Sequence, residues 1–257
     1  MGISIAVCSG KGGTGKTTIS ANLGVSLSQF GKNVIILNPN VEMGGMGLIF
    51  GLEGVYKTLH DVLAGEVDVS EAIYDGPGGV KVVPIGIPLN SLKKADPDKL
   101  KDVINILKEV EVLIIDAPAG LGRGVMTVIS SAQEILLVIN PEISSMSDAL
   151  KTKIVANKLG AHVLGIVLNR ATFDSMDMIV REIEYILETP ILAVVPEDPE
   201  VEHSSAFGVP VVIKNPNAPA AVAIKKLAAD LIGEEHITPD EKRPFFVNRL
   251  ISGLFGN

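Results

Sequence analysis

The chain has 257 residues and is 47% hydrophobic and 20% charged, with a net charge of −8 at pH 7. This size and composition suit one large globular domain better than two small ones. The acidic balance disfavours a protein that coats nucleic-acid phosphates, so no specific nucleic acid is expected as a partner. The single cysteine, Cys8, excludes an internal disulfide, and no apolar run approaches the length of a membrane span; both features predict a cytoplasmic chain.

Short apolar runs rich in valine and isoleucine alternate with helical patterns, which predicts an α/β fold. These runs cover residues 3–9, 33–38, 80–85, 110–116, 134–140, 162–169 and 191–196. Because they lack the polar alternation of a half-exposed strand, they predict a doubly wound, mostly parallel sheet of seven to eight strands with helices on both faces. One helix is predicted over 16–30, ending before Gly31, and another from Pro97, with Asp96 as its N-cap.

The stretch Ser-Gly-Lys-Gly-Gly-Thr-Gly-Lys-Thr-Thr (9–18) lies between the first predicted strand and the first predicted helix. It matches the phosphate-loop (P-loop) pattern G-x-x-x-x-G-K-[ST]. In this pattern backbone N–H groups surround phosphate oxygens, the lysine reaches the β- and γ-phosphates, and the hydroxyl binds Mg²⁺. A glycine-rich turn that only joins strand to helix is the alternative. The predicted nucleotide contacts are Gly10, Lys11, Gly12, Gly13, Thr14, Gly15, Lys16, Thr17 and Thr18, with Thr17 also a metal ligand.

The second lysine of this loop, Lys11, carries a resemblance to a known family. The segment Lys-Gly-Gly-Thr-Gly-Lys-Thr (11–17) resembles the deviant Walker A ATPases, the P-loop NTPases that include MinD, ParA, the nitrogenase iron protein and the Mrp-type iron–sulfur carriers. The resemblance implies that Lys11 reaches the phosphates of a partner subunit across an ATP-bound homodimer, so Lys11 and Lys16 are both catalytic candidates. A solvent-exposed loop lysine is the alternative.

Two further strand ends are predicted to complete the site. Asp116 ends the apolar run 110–116, at the edge where parallel sheets bind ligands, and can hold Mg²⁺ through a water; a helix-capping aspartate is the alternative. The family resemblance implies that Asn169 reads adenine, although asparagine at a strand end is also a common turn residue. No Asn-Lys-x-Asp stretch is present, which favours ATP over GTP. The predicted base contacts are Asn169, Arg170, Pro196, Glu197 and Asp198.

The run 33–38 leads into a departure from the family pattern. The resemblance places a D-x-D segment here, in which one aspartate helps to hold magnesium waters and the other orients or deprotonates the attacking water. This chain has Asn38 and Asn40 instead. An amide can position water but is not a competent base near neutral pH, so we expect ATP binding with slow or defective hydrolysis. The alternative is that both are ordinary turn residues and that another group, such as Glu42, serves.

The last part of the chain is predicted to attach the domain to a membrane surface. The ATPase domain is expected to cover 1–233, followed by a charged linker (234–244) and an amphipathic segment (245–257) that targets an anionic membrane surface. Packing of this segment on its own domain or on a partner is the alternative. The residues predicted to enter the membrane are Phe245, Phe246, Val247, Leu250, Ile251, Leu254 and Phe255.

Three segments place the resemblance in the MinD branch, of archaeal type. They are 140–151, 195–211 and the C-terminal stripe, whereas Cys8 does not match the interface cysteines of the iron–sulfur branches. The branch implies a peripheral membrane ATPase that dimerises with Mg-ATP, answers to an unidentified protein effector and places the cell-division site. A non-hydrolysing scaffold and a ParA-like cargo or DNA positioner are the alternatives.

Overall fold

The computed structural model describes residues 2–40, 45–52, 54–86, 96–172 and 176–234, and the statements below concern those ranges. The predicted membrane segment 245–257, the linker beyond residue 234 and Glu42 lie outside them. Within the described ranges, no helix is long and apolar enough to cross a membrane.

The described residues form one eight-stranded sheet. Its strands are β1 (Ile3–Cys8), β2 (Val34–Leu37), β3 (Tyr74–Asp75), β4 (Lys81–Val83), β5 (Val112–Asp116), β6 (Glu134–Ile139), β7 (His162–Ala171) and β8 (Ile191–Pro196). Their spatial order is β3-β4-β2-β5-β1-β6-β7-β8, and all neighbours are parallel except β3 and β4. The predicted fold class is confirmed. The apolar runs missed only β3, because two residues are too few to form a pattern.

Helices cover both faces of the sheet. They are α1 (Lys16–Gln29), α2 (Gly45–Phe50), α3 (Leu59–Ala64), α4 (Leu100–Leu107), α5 (Arg123–Ser131), α6 (Ile143–Lys158), α7 (Met176–Leu187), α8 (Pro199–Ala206), α9 (Val211–Lys214) and α10 (Pro219–Ile232), with 3-10 turns at Val69–Ala72, Pro77–Gly79 and Pro97–Lys99. The predicted first helix ends one residue early, and Gly31 follows with a φ of 81°. Asp96 caps the predicted later helix, accepting from the Asp98 N–H at 3.0 Å.

The core consists of two apolar layers separated by the sheet. Successive residues of each strand point to opposite layers, so Ile5 and Val7 pack with α1 and α10, while Ala6 and Cys8 pack with α4 to α6. Both layers bury every residue of the central strands, which explains why their sequences read as unbroken apolar runs. On the α1 side Gly24 allows close approach, since a Cβ there would lie 2.5 Å from Ile36 Cδ1.

The carboxyl ends of the parallel strands lie along one edge of this sheet. The P-loop leaves β1 at that edge, and Asp116, Asn140 and Asn169 lie at the ends of β5, β6 and β7. Because these strands are neighbours in the sheet, polar residues more than 100 positions apart in sequence converge around the start of α1.

Candidate functional site

The P-loop joins β1 to α1, and its glycines meet specific geometric demands. Gly13 and Gly15 have φ values of 79° and 90°, in the left-handed region that favours glycine. Gly10 lies against α6, where a Cβ would lie 2.5 Å from the backbone of Asp148. The Ser9 hydroxyl donates to the carbonyl of Lys11 at 2.6 Å. The loop therefore turns tightly and leaves Gly12 and Gly13 exposed.

Two opposite charges are buried at the start of α1. Lys16 is only 6% exposed, and burial lowers its pKa, an effect that the neighbouring Asp116 carboxylate opposes. Asp116 is fully buried, and desolvation raises its pKa to about 6, against hydrogen bonds and the Lys16 charge that favour ionisation. Both shifts point toward the neutral form, so the pair is electrostatically strained without a ligand.

The Asp116 carboxylate accepts two hydroxyl hydrogen bonds from α1. Thr17 Oγ1 donates to Oδ2 at 2.7 Å, and Ser20 Oγ donates to Oδ1 at 3.3 Å. A hydroxyl and a carboxylate held this close are the oxygen ligands that Mg²⁺ prefers. The residues present therefore fit a magnesium ion, which Thr17 and Asp116 could hold. Ser20 was not predicted, although its position three residues after Thr17 places it on the same helix face.

The P-loop also contains a buried hydroxyl that lacks a partner. Thr14 Oγ1 has no hydrogen-bond partner among the described residues, although the side chain is fully buried. Thr18 is half-buried, and its carbonyl accepts from Asn22 Nδ2 at 2.9 Å. Cys8, at the end of β1, is fully buried, which raises the pKa of its thiol to about 12.

The two asparagines after β2 lie at the same edge and are both buried. Asn38 is 1% exposed and Asn40 is 8% exposed. The Asn38 N–H donates to the carbonyl of Val83 at 3.1 Å, which continues the ladder between β2 and β4. Asn38 Oδ1 accepts the backbone N–H of Asn40 at 2.9 Å. The next described residue, Gly45, lies near the P-loop, because a Cβ there would lie 3.8 Å from Thr17 Cγ2.

The residues predicted to contact the base follow β7 and β8. Asn169 is 6% exposed, and its Nδ2 donates to the Thr14 carbonyl at 2.8 Å. The Arg170 Nε lies 3.6 Å from Glu197 Oε2, and Pro196 ends β8 beside them. Four of the five residues are therefore near one another at this edge.

Asp198, the fifth, is held by two helix starts. Its Oδ1 accepts from the Glu200 N–H of α8 and its Oδ2 from the Ala220 N–H of α10, each at 3.0 Å. Both carboxylate oxygens thus bind backbone N–H groups, and capping of this kind stabilises a helix by roughly 1 kcal/mol.

Lys11 extends from the loop to the start of α6 rather than into solvent. Its Nζ lies 2.5 Å from Glu142 Oε2 and 3.1 Å from Ser144 Oγ. The hydrogen bond from Lys11 holds the pKa of the Glu142 carboxyl below its usual range. Ile143 beside it is 87% exposed. Glu142 was not predicted as a site residue, although it lies in the segment 140–151 that carried part of the resemblance.

The comparisons with known proteins agree with this geometry. Residues 5–211 match the CobQ/CobB/MinD/ParA nucleotide binding domain. An uncharacterized ATP-binding protein of Methanocaldococcus jannaschii is 49% identical over 258 residues, covering 100% of this chain and 98% of the relative.

Two solved structures are similar over nearly their whole length. The septum site-determining protein MinD of Pyrococcus horikoshii, complexed with Mg-ADP, has a TM-score of 0.85 and 39% identity and covers 90% of this chain and 96% of its own. The cell division ATPase MinD of Pyrococcus furiosus has a TM-score of 0.84 and 43% identity, with coverages of 89% and 97%.

Proposed function

This chain belongs to the CobQ/CobB/MinD/ParA family of nucleotide-binding proteins, and we propose that it is a MinD-type switch that binds Mg-ATP, dimerises and associates with membranes. The observation that carries the proposal is the contact of Thr17 with the buried Asp116 carboxylate, next to the buried Lys16. A buried cation, a hydroxyl and a carboxylate at the end of a P-loop have few structural uses, because their burial is costly unless a charged ligand engages them.

The nucleotide phosphates would bind in the P-loop. Lys16 would contact the β- and γ-phosphates, while the backbone N–H groups between Gly10 and Thr18 surround the phosphate oxygens at the positive end of α1. The bound Mg²⁺ would neutralise phosphate charge, held by Thr17 and, through water, by Asp116. The relative from Pyrococcus horikoshii was solved with Mg-ADP, which supports this ligand pair.

The adenine base would lie beside the ends of β7 and β8. Asn169, Arg170, Pro196 and Glu197 are the residues that support this pocket. Asp198 would act by holding α8 and α10 in place beneath it, because both of its oxygens accept backbone hydrogen bonds.

Lys11 would be the residue that couples nucleotide binding to dimerisation. In the described chain it contacts Glu142 on its own subunit. In an ATP-bound dimer we propose that Lys11 leaves this contact and reaches the phosphates bound by the partner subunit. The exposed Ile143 next to Glu142 would then become part of the covered surface.

We propose that hydrolysis is slow because Asn38 and Asn40 replace acidic groups. Neither amide can accept a proton near neutral pH. Asn38 Oδ1 already accepts a backbone hydrogen bond, which reduces its capacity to position water.

Membrane association is proposed for the segment 245–257. The helix α10 ends at Gly233, whose left-handed φ of 72° is typical of a helix terminus, and this supports the proposed boundary at 233. One short amphipathic segment binds an anionic surface weakly, whereas two copies on a dimer share one encounter and gain by avidity. A protein effector would read the ATP-bound state. The names of the septum-site relatives support a role in placing the division site.

The test is to follow ligand, mass and membrane together in the full chain. Calorimetry should detect ATP binding that Mg²⁺ strengthens, light scattering should show a dimer with ATP and a monomer with ADP, and anionic vesicles should sediment the protein only with ATP. Ile251→Glu should abolish sedimentation, whereas Asn248→Glu, on the polar side of the same segment, should weaken it less. Absence of ATP binding contradicts the whole proposal, and sedimentation unaffected by Ile251→Glu contradicts its membrane part.

A further inference from the structure

An irregularity interrupts the end of β7, beside the P-loop. The pairing of β7 with β8 shifts register between Asn169 and Ala171, and the intervening Arg170 has a φ of 55°. A left-handed conformation is costly for arginine and persists only where the surroundings impose it, which is most often at a functional site. Bulges of this kind re-aim a neighbouring side chain, and here the neighbour is Asn169.

The Asn169 amide is turned toward the P-loop backbone. Its Nδ2 donates to the Thr14 carbonyl at 2.8 Å across 155 positions of sequence, and the contact is buried. A carbonyl can only accept, so the nitrogen of the amide must face the loop. The oxygen Oδ1 and the second hydrogen of Nδ2 are left for other contacts.

The same amide fills the space that a side chain at Gly15 would need. An ideal Cβ at Gly15 would lie 2.2 Å from Asn169 Nδ2, and the φ of 90° independently favours glycine. Gly15 immediately precedes Lys16, and its carbonyl accepts the first helical hydrogen bond of α1, from the Ile19 N–H at 2.9 Å. The contact thus lies where the loop becomes the helix.

We infer that Asn169 is a positioning residue for the phosphates, in addition to any contact with the base. By fixing the peptide between Thr14 and Gly15, it keeps the N–H groups of the loop and the Lys16 side chain directed at one point. This inference rests on the proposed function, in which the P-loop binds nucleotide phosphates.

The first test needs no ligand. Hydrogen–deuterium exchange of residues 10–17 in the nucleotide-free chain should be faster in Asn169→Ala than in wild type. Asn169→Asp, which keeps the size of the side chain but loses the N–H donor, should behave like Asn169→Ala. The control is Asn157→Ala, which removes an exposed asparagine near the C-terminal end of α6 and should leave loop exchange unchanged. Loop exchange that is equal in wild type and both Asn169 variants overturns the inference.

The second test separates phosphate positioning from base reading. Affinities are measured for Mg-ATP and for inorganic tripolyphosphate, which has neither ribose nor base. Loss of one buried hydrogen bond should lower both affinities of Asn169→Ala by about tenfold. A drop for ATP with tripolyphosphate unchanged overturns the inference and leaves only a base contact. A wild-type chain that binds neither ligand contradicts the proposed function instead. The exchange experiment still decides the inference if tripolyphosphate binds too weakly to measure.

Discussion

The neighbouring strands β2 and β5 end at the same edge of the sheet, but the buried residues at their ends differ in charge. At the end of β5, Asp116 is buried as a charge-bearing group beside Lys16 and binds the Thr17 hydroxyl. At the end of β2, Asn38 and Asn40 are buried as neutral amides, and one bonds the backbone of the other. Burying a charged pair is costly and is justified by a charged ligand, whereas buried amides that find partners cost little. Among the described residues, the end of β5 therefore carries an ionisable group, whereas the end of β2 carries two neutral amides.

Burial also shifts the pKa values of ionisable groups in both regions. Burial lowers the pKa of Lys16 and raises that of Asp116, so each shift disfavours the charged form, and a bound Mg-ATP that favours both charged forms would stabilise the domain. On the β2 side, the His60 side chain of α3 is 2% exposed, and burial likewise lowers its pKa. Substitutions that place a carboxylate at the end of β2, or an amide at the end of β5, test this difference between the two regions.

The largest expected effect comes from replacing the asparagines at the end of β2 with aspartates. Asn40→Asp, alone and with Asn38→Asp, should raise the single-turnover rate of ATP hydrolysis by about 10² or more, because a carboxylate can orient and deprotonate water. The measurement is phosphate release from a preformed complex of protein and Mg-ATP.

The matched control is Asn33→Asp, the same chemical change at the opposite, exposed end of β2. It should leave the rate unchanged. Rapid turnover in the wild-type chain, or no gain in the double variant, would mean that the asparagines do not limit hydrolysis. A wild-type chain that holds ATP without any turnover would favour the scaffold alternative.

The reverse substitution replaces the carboxylate at the end of β5 with a neutral amide. Asp116→Asn should weaken the affinity for Mg-ATP by about 10- to 100-fold, the usual loss when a group that orients a metal ligand is removed. It should have little effect on ATP affinity measured with chelator present. Calorimetry with and without Mg²⁺ gives both values. Asp98→Asn, at an exposed aspartate near Arg123, is the control and should match wild type. Equal losses with and without magnesium would show that Asp116 does not act through the metal.

The sequence predicts this site only where its signal is local. The P-loop spacing locates Gly10 to Thr18, and the unbroken apolar runs predict the strand ends that contain Asp116 and Asn169. The contacts that orient these groups are long-range: Lys11 with Glu142 spans 131 positions, and Asn169 with Thr14 spans 155. They depend on strand register and on the bulge at Arg170, which no local pattern specifies.

The limits of the sequence are also visible in single residues. The contact of Asp198 with the base stays a prediction, and the sequence did not indicate that α10, about 20 positions later, supplies a second N–H for its carboxylate. The two-residue strand β3 escapes detection because antiparallel pairing with β4, rather than its own composition, makes it a strand.

A smaller effect is expected on the exposed flank of the P-loop. Unlike the buried Lys16, Lys11 is tied to Glu142 in a half-exposed ion pair, which is worth at most about 1 kcal/mol. Glu142→Gln should release Lys11 in both subunits and tighten the ATP-bound dimer by a factor of up to about five for each subunit, measured by sedimentation equilibrium.

Asp75→Asn serves as the control, because it removes an exposed ion pair with Lys81 far from the P-loop. Its dimer constant should equal that of wild type. A weaker dimer in Glu142→Gln would mean that this carboxylate supports the dimer instead of competing with the partner subunit for Lys11.

The smallest expected effect concerns the buried His60, and it tests whether the β2 side can hold a charged group. Neither ring nitrogen of His60 has a hydrogen-bond partner among the described residues, and desolvation lowers its pKa below the ordinary value of 6.5. The unfolded chain therefore takes up the proton first as the pH falls, so His60 destabilises the fold progressively below about pH 6.5. His60→Leu removes this proton uptake. The free energy of unfolding of this variant relative to wild type should therefore rise as the pH falls from 7 to 5, measured by urea unfolding. Leu63→Met, on the same helix, changes packing without changing titration, so its difference from wild type should stay constant. A His60→Leu difference that is independent of pH would show that the imidazole accepts a proton in the folded chain, and that the β2 side can hold a buried cation as the β5 side does.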